Sequence, residues 1–176
     1  MPWRRSCSRV RPGSGKTTVA ARLAGLLGER GVDVRGFVTQ ELREHGCRVA
    51  FEVATFEGSR ATLAHVNLTG APRVGKYGVD VEAFERVALP ALANVPARAV
   101  VLIDELGKME LASERFRDAV SQLFASGVDL VATVHVFRHP FTDALKGRPD
   151  VKRIQVTGSS RDELPAQLER RLSRAP

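Results

Sequence analysis

The order of apolar and polar positions divides the chain into alternating strands and helices. From 16 to 30, Val19, Leu23, Leu26 and Leu27 recur on one face of a 3.6-residue period, and Gly31 follows as a stop signal, which predicts a helix. A strand is expected over 34–39, and Val49, Phe51 and Val53 alternate as in a half-buried strand, with Glu44-His45-Gly46 as a hairpin turn between the two. From 55 to 77 the chain is punctuated by glycine, with Leu63, Val66 and Leu68 as apolar anchors, and reads as short strands and loops. Asp80 is placed to cap a helix running from 81 to about 93, with Phe84, Val87, Ala88 and Leu92 as its packing face and Pro90 bending its last turn. Ala99-Val100-Val101-Leu102-Ile103 is a continuous apolar run, as in a parallel strand covered on both faces, and it ends in Asp104-Glu105. A helix capped by Ser113 (Phe116, Val120, Leu123, Phe124) and closed by Gly127 comes next, then an apolar strand over 130–136 and a short helix over 140–146. A last strand is expected over 151–156, and Ser160-Arg161-Asp162-Glu163 has capping-box spacing ahead of a helix carrying Leu164, Leu168 and Leu172.

Strands that alternate with helices imply an α/β domain with a mainly parallel sheet, since parallel neighbours need crossover connections. The segment from about 40 to 78 reads as a small antiparallel β insertion. At 176 residues the chain suits a single domain spanning 1–176. Composition adds limits. No apolar run approaches the roughly 20 residues of a membrane helix, and no secretory leader follows Arg4 and Arg5, so a cytoplasmic protein with no membrane partner is expected. Two cysteines, Cys7 and Cys47, stand in no metal-ligand spacing, and the four histidines form no zinc motif. The net charge of +7 raises the question of nucleic acid, but Arg4, Arg5, Arg9 and Arg11 supply four of that excess. With one Trp and one Tyr there is no stacking surface, and a nucleic-acid partner is not expected.

Gly13-Ser14-Gly15-Lys16-Thr17-Thr18 carries the clearest chemistry. Backbone N–H groups at a helix start can cradle a polyanion, and Gly13 and Gly15 allow the turn where side chains would collide. Lys16 would reach the β- and γ-phosphates as a point charge, and the Thr17 hydroxyl would ligate Mg²⁺. The full pattern GxxxxGK[ST] asks for glycine at position 10, where this chain has Val10, followed by Arg11 and Pro12. It also asks for an apolar strand beforehand, and Trp3-Arg4-Arg5-Ser6-Cys7-Ser8-Arg9 is a poor one for the middle of a covered sheet. Back-translation of residues 6 to 13, read one nucleotide earlier, permits Val/Leu, Leu/Val/Met, Leu/Phe, Thr, Gly, Pro, Pro/Ala, Gly. That is a buried strand entering a complete P-loop, so the residues before about Gly13 are read as frame-shifted.

The apolar run that ends in Asp104-Glu105 has the form of a Walker B strand, which presents its acid at the strand's C-terminal end. Asp104 would hold Mg²⁺, and Glu105 would orient and deprotonate the attacking water. Val131-Ala132-Thr133-Val134-His135 ends in polar groups, and Thr133 or His135 could sense the γ-phosphate or cap the strand. Arg138, Arg148 and Arg161 are candidates for transition-state charge or base stacking.

With both motifs placed, the chain resembles the cancer-related nucleoside-triphosphatase (THEP-type) family of small P-loop enzymes. The resemblance runs through PGSGKTT, GFVTQELREHGCRVAFEV, VGKYGVDVEAFERVALPAL, VVLIDELGKMEL and DVKRIQVTGSSRDEL, about nine-tenths of the chain. It implies a RecA-like core and Mg²⁺-dependent hydrolysis of ATP, GTP, CTP and UTP to the diphosphate and phosphate. It also implies a phosphate loop at positions 10 to 17, a second nucleotide-binding stretch at Val101, Leu102, Ile103, Asp104 and Glu105, and a base contact at Arg161. Val10-Arg11 depart from the family's Gly-Pro, and Ser160 from its usual Asn. Glu41, Arg43 and Lys108 match the family pattern. A P-loop kinase would use the same Lys16, Thr17 and Asp104 but needs an acceptor pocket and an arginine-bearing lid, which the stretch from Arg138 to Arg148 could supply. A nucleotide-dependent switch protein is the non-enzyme alternative. Oligomeric state is not legible.

Overall fold

The computed structural model describes the backbone of residues 5–10, 15–70 and 72–173, and the side chains of 15–70 and 72–173. In chain order these residues form β1 (Arg5–Val10), α1 (Lys16–Glu29), β2 (Val34–Glu44), β3 (Cys47–Thr55), β4 (Arg60–His65), β5 (Arg73–Val74), β6 (Tyr77–Val79) and α2 (Val81–Leu92). There follow β7 (Val100–Leu106), a 3₁₀ turn (Glu110–Ala112), α3 (Glu114–Ala125), β8 (Asp129–His135), α4 (Pro140–Lys146), β9 (Lys152–Gln155) and α5 (Leu164–Leu172). The strands join one sheet in the order β5-β6-β4-β3-β2-β7-β8-β1-β9. Neighbours from β2 to β9 are parallel, and those from β2 outward to β5 are antiparallel. The antiparallel insertion is therefore an extension of the main sheet.

The apolar run in β7 is explained by its two covered faces. Val100 and Leu102 pack with Val19, Leu23 and Leu27 of α1 and Leu164 and Leu168 of α5. Val101 and Ile103 pack on the other side with Phe84, Ala88 and Leu92 of α2 and Phe116, Val120 and Phe124 of α3. Alternation with period two thus divides a sequence that shows no alternation in polarity. Phe37, Phe84 and Phe116 fill the second layer as a ring cluster with centroids 5.0–5.7 Å apart, and each such pair contributes about 1 kcal/mol beyond its buried area.

Several expected elements differ in extent. β2 runs on past 39 to Glu44, because beyond its parallel pairing with β7 it pairs antiparallel with β3. The hairpin turn is formed by His45 and Gly46, with φ of 47° and 79°, the two positive values a two-residue loop needs. Gly36, with φ of 101°, lets β2 lie against β7: a Cβ there would sit 2.0 Å from the Leu102 carbonyl oxygen. The capping box at Ser160 is not formed. Ser160 and Thr157 exchange hydrogen bonds through their hydroxyls and backbone N–H groups, and α5 begins only at Leu164 with Glu163 at its cap. Pro165 in that first turn accounts for the later start, since its fixed φ and missing N–H suit the opening of a helix.

On side-chain grounds 3–9 looked a poor strand, yet the backbone of Arg5–Val10 is one, with Cys7 opposite Ala132 on one side and Arg153 on the other. Ladder pairing needs only N–H and C=O groups, which each of these residues supplies.

Candidate active site

The loop after β1 leads into α1, and Arg11, Pro12, Gly13 and Ser14 of the expected phosphate loop lie outside the described residues, as does the Val10 side chain. The second half of the loop is described. Gly15 has φ of 88° and Lys16 opens the helix, so the first N–H groups of α1 have no partner within the helix and face the loop. Thr17 and Thr18 are exposed at this end.

β7 delivers the acids. Its alternation puts Asp104 on the α1 side, in line with Val100 and Leu102, and the strand leaves its regular register between Ile103 and Leu106. The Asp104–Glu105 peptide is cis. Asp104 is 1% exposed and receives hydrogen bonds from the hydroxyls of Thr133 and Thr17. Burial raises its pKa, the two hydroxyls oppose that rise, and Glu105 adds to it. Mg²⁺ takes hard oxygen donors, few of them from protein and the rest from phosphate and water. Thr17 and Asp104 offer two such oxygens within bonding reach of each other, and a cation would offset the burial of the Asp104 charge. The donor set fits Mg²⁺.

Glu105 Oε2 lies 3.2 Å from Lys16 Nζ, in a pair whose side chains are 26% and 8% exposed. The expected phosphate lysine and the expected base thus meet at one point. β8 lies between β7 and β1, so its polar end reaches the same place. Thr133 is committed to Asp104. His135 is half-buried, its Nδ1 accepts from the Phe137 N–H at 3.4 Å, and its ring packs on Phe137 with centroids 4.4 Å apart. Its pKa is lowered, chiefly by burial, with Lys16 and Lys108 acting the same way and Glu105 opposing. A neutral ring whose Nδ1 accepts carries its proton on Nε2. Lys108 Nζ sits over the Phe137 ring at 4.7 Å.

Arg161 lies in the loop before α5, with its Cδ 3.3 Å from where a Cβ on Gly15 would be, and so borders the start of α1. Arg138 and Arg148 are elsewhere. Arg138 pairs with Asp143, and Arg148 with Asp150 and the Phe124 carbonyl, and both line a separate basic cavity of about 490 Å³ with Lys146 and Arg153. Glu41 and Arg43 pair with each other on the β2–β3 hairpin, where Glu41 also meets Arg48. Val101, Leu102 and Ile103 are core residues, 1% exposed or less. They carry the strand to the site and do not line it, because both faces of β7 are covered.

One acidic residue escaped the sequence reading. Glu110, in the 3₁₀ turn after β7, is 3% exposed, and its Oε1 accepts from the Thr39 hydroxyl at 2.9 Å. Burial pushes its carboxyl up to about 8, with Glu105 and Asp104 adding to the rise. A glutamate between Met109 and Leu111 in the stretch DELGKMEL was the only trace of it in the sequence.

Comparison with known proteins agrees with this geometry. A family model described as NTPase matches residues 10–168. The nucleoside-triphosphatase THEP1 of Thermofilum pendens is 45% identical over 168 residues, covering 93% of this chain and 92% of that protein. The human cancer-related nucleoside-triphosphatase is 39% identical over 167 residues, 87% and 88% of the two chains. Among solved structures, THEP1 from Aquifex aeolicus superposes with a TM-score of 0.85 at 32% identity, over 97% of this chain and 99% of that one. The solution structure of the human enzyme also gives 0.85, at 36% identity over 98% and 100%. With a P-loop α/β fold, a lysine and acid pair at the head of α1 and β7, and this likeness over nearly its whole length, the chain belongs to the NTPase family that includes THEP1 and the cancer-related nucleoside-triphosphatases.

Proposed function

We propose that this protein hydrolyses nucleoside 5'-triphosphates to the diphosphate and phosphate with Mg²⁺ as cofactor, and that ATP, GTP, CTP and UTP are all accepted. The observation that carries the reading is the contact of Lys16 with Glu105. It puts a phosphate-binding cation and a base candidate at the one place where a γ-phosphate and its attacking water would meet. The names of the relatives point to the same activity.

In this reading, α1's first N–H groups and Lys16 hold the β- and γ-phosphates, and Arg161 lies against the loop beside Gly15. Thr17 and Asp104 would hold Mg²⁺, which supplies charge neutralisation between the phosphates. Thr133 fixes the Asp104 carboxylate by its hydrogen bond. The γ-phosphate competes with Glu105 for Lys16, which leaves the carboxylate facing water. Glu105 then takes a proton as the water oxygen bonds to the γ-phosphorus, and the bond to the β–γ bridging oxygen breaks. The products are the diphosphate, inorganic phosphate and one proton. His135, which lies within electrostatic reach of Glu105 and Lys16, would sense the γ-phosphate or the attacking water. Residues 1–176 act as one domain.

A kinase reading is weaker because Arg138 and Arg148 are occupied by Asp143 and Asp150. The test is phosphate release from the four triphosphates with no acceptor present, with and without Mg²⁺, on wild type, Lys16→Ala and Glu105→Gln. Release by wild type alone is expected. A kinase would release almost none, a switch protein would need a partner for substantial turnover, and full activity in Glu105→Gln would remove the base assignment.

A further inference from the structure

Three carboxyls, Asp104, Glu105 and Glu110, fall within seven residues, and the mechanism above uses only two of them. Glu110 is the most buried glutamate among the described residues, at 3% exposed. Its two oxygens have separate surroundings. Oε1 accepts from the Thr39 hydroxyl on β2. Oε2 lies 2.7 Å from the point where a Gly107 side chain would begin, and Glu105 Oε1 lies 3.1 Å from that same point, with Glu105 Cγ at 3.3 Å. The two glutamates therefore face each other across the space left by a glycine.

We propose that Glu110 is a positioning residue for hydrolysis: anchored on Thr39, it faces Glu105 across the Gly107 gap and fixes where the Glu105 carboxylate points. The inference rests on the reading of Glu105 as the base. Two carboxyls this close do not both ionise readily, and different surroundings decide which one carries the charge. Glu105 is partly exposed and paired with Lys16, whereas Glu110 is enclosed, and burial, with Glu105 and Asp104 adding, pushes its carboxyl up to about 8. Enclosure thus favours the protonated, neutral form of Glu110. Glu110 fills the space behind Glu105 as a neutral acid.

Among the described residues, no cation of the neighbouring helices is among the groups that act on Glu110. Glu85 of α2 is taken by Ser113 and Arg115, and Arg117 of α3 bonds the Leu111 carbonyl and Glu114. The groups that face Glu110 are Thr39 of β2, its own backbone N–H, and Asp104 and Glu105 of β7. Once ionised, Glu110 would repel the carboxylate it positions, so turnover should fall as pH rises through the Glu110 transition.

The test is steady-state kinetics with MgATP from pH 6 to 10 on wild type, Glu110→Leu, Glu110→Gln, Gly107→Ala and Glu105→Gln. Circular dichroism and nucleotide binding serve as checks of folding. Glu110→Leu should lower kcat by about tenfold to a hundredfold, with KM changed less than about threefold. Gly107→Ala, which puts a methyl between the two carboxyls, should act in the same direction. Glu110→Gln, still an acceptor for Thr39 and still a donor, should restore most of the turnover lost in Glu110→Leu and lack the alkaline fall seen in wild type. Wild-type kcat in a folded Glu110→Leu, or an alkaline fall in Glu110→Gln identical to that of wild type, overturns the proposal. If Glu110→Leu does not fold, the comparison of wild type with Glu110→Gln decides alone. An inactive Glu105→Gln beside fully active Glu110 variants would remove the positioning role and keep the base, whereas an active Glu105→Gln would remove the base itself.

Discussion

Glu110 also makes a prediction about stability that is independent of turnover. Its carboxyl titrates near 4.5 in the unfolded chain and at about 8 in the folded protein. Between those values the folded state holds a proton that the unfolded state has lost. Stability therefore falls as pH rises through the window, at up to about 1.4 kcal/mol per pH unit, and levels off above it. Over the whole window the loss is on the order of 5 kcal/mol, a large part of the roughly 5–15 kcal/mol that holds a domain folded. Glu110→Gln keeps the shape and the Thr39 contact but cannot titrate. Asp104, whose pKa is also raised by burial, is present in both proteins and largely cancels in the comparison. Urea unfolding followed by far-ultraviolet circular dichroism at half-unit steps from pH 5 to 8.5 should show Glu110→Gln gaining on wild type by several kcal/mol as pH rises. A difference between the two proteins that stays constant within about 1 kcal/mol across that range would refute the raised pKa of the buried Glu110, given the usual error of such extrapolations.

Other expectations follow from the geometry. Gly36→Ala should leave little folded protein in a thermal melt, because its methyl would meet the Leu102 carbonyl oxygen at 2.0 Å on a strand with φ of 101°. Glu105→Gln removes the group that competes for Lys16. MgATP should bind this variant more tightly, by about fivefold for a partly exposed pair worth about 1 kcal/mol, and calorimetry showing weaker binding would count against the exchange. The frame-shift reading of the N-terminus predicts that a chain restored to an apolar strand and a complete GxxxxGKT loop binds nucleotide far better than the written one. Equal affinity, or a resequenced gene start without the alternative frame, would end that reading.

The fold was readable wherever burial left its mark in polarity. α1, α2 and α3 expose one face and bury the other, and Val19, Leu23, Phe84, Ala88, Phe116 and Val120 are buried as their spacing requires. What could not be read depended on partners distant in sequence. The extension of β2 to Glu44 comes from pairing with β3, and the loss of the Ser160 cap comes from Thr157 taking its hydroxyl. In β1 the backbone forms a ladder that the side-chain pattern of 3–9 argues against, since side chains signal burial and ladders require only the main chain.

The site divides along the same line. That Lys16, Thr17, Asp104 and Glu105 would come together was legible because phosphate and metal chemistry asks for those residue types at fixed offsets from a glycine turn and from a strand end. Glu110 was not, because nothing about a single glutamate beside Met109 and Leu111 tells whether it is solvated or enclosed. The 3₁₀ turn decides it by folding Glu110 back under β7, and Thr39 and Gly107 then set its neighbours. Gly107 is informative for a related reason. In sequence it is one more loop glycine, but the space its missing side chain leaves is where the two carboxyls meet. If Glu105 is the base, the direction of its carboxylate would then be set by a residue whose surroundings come wholly from tertiary burial.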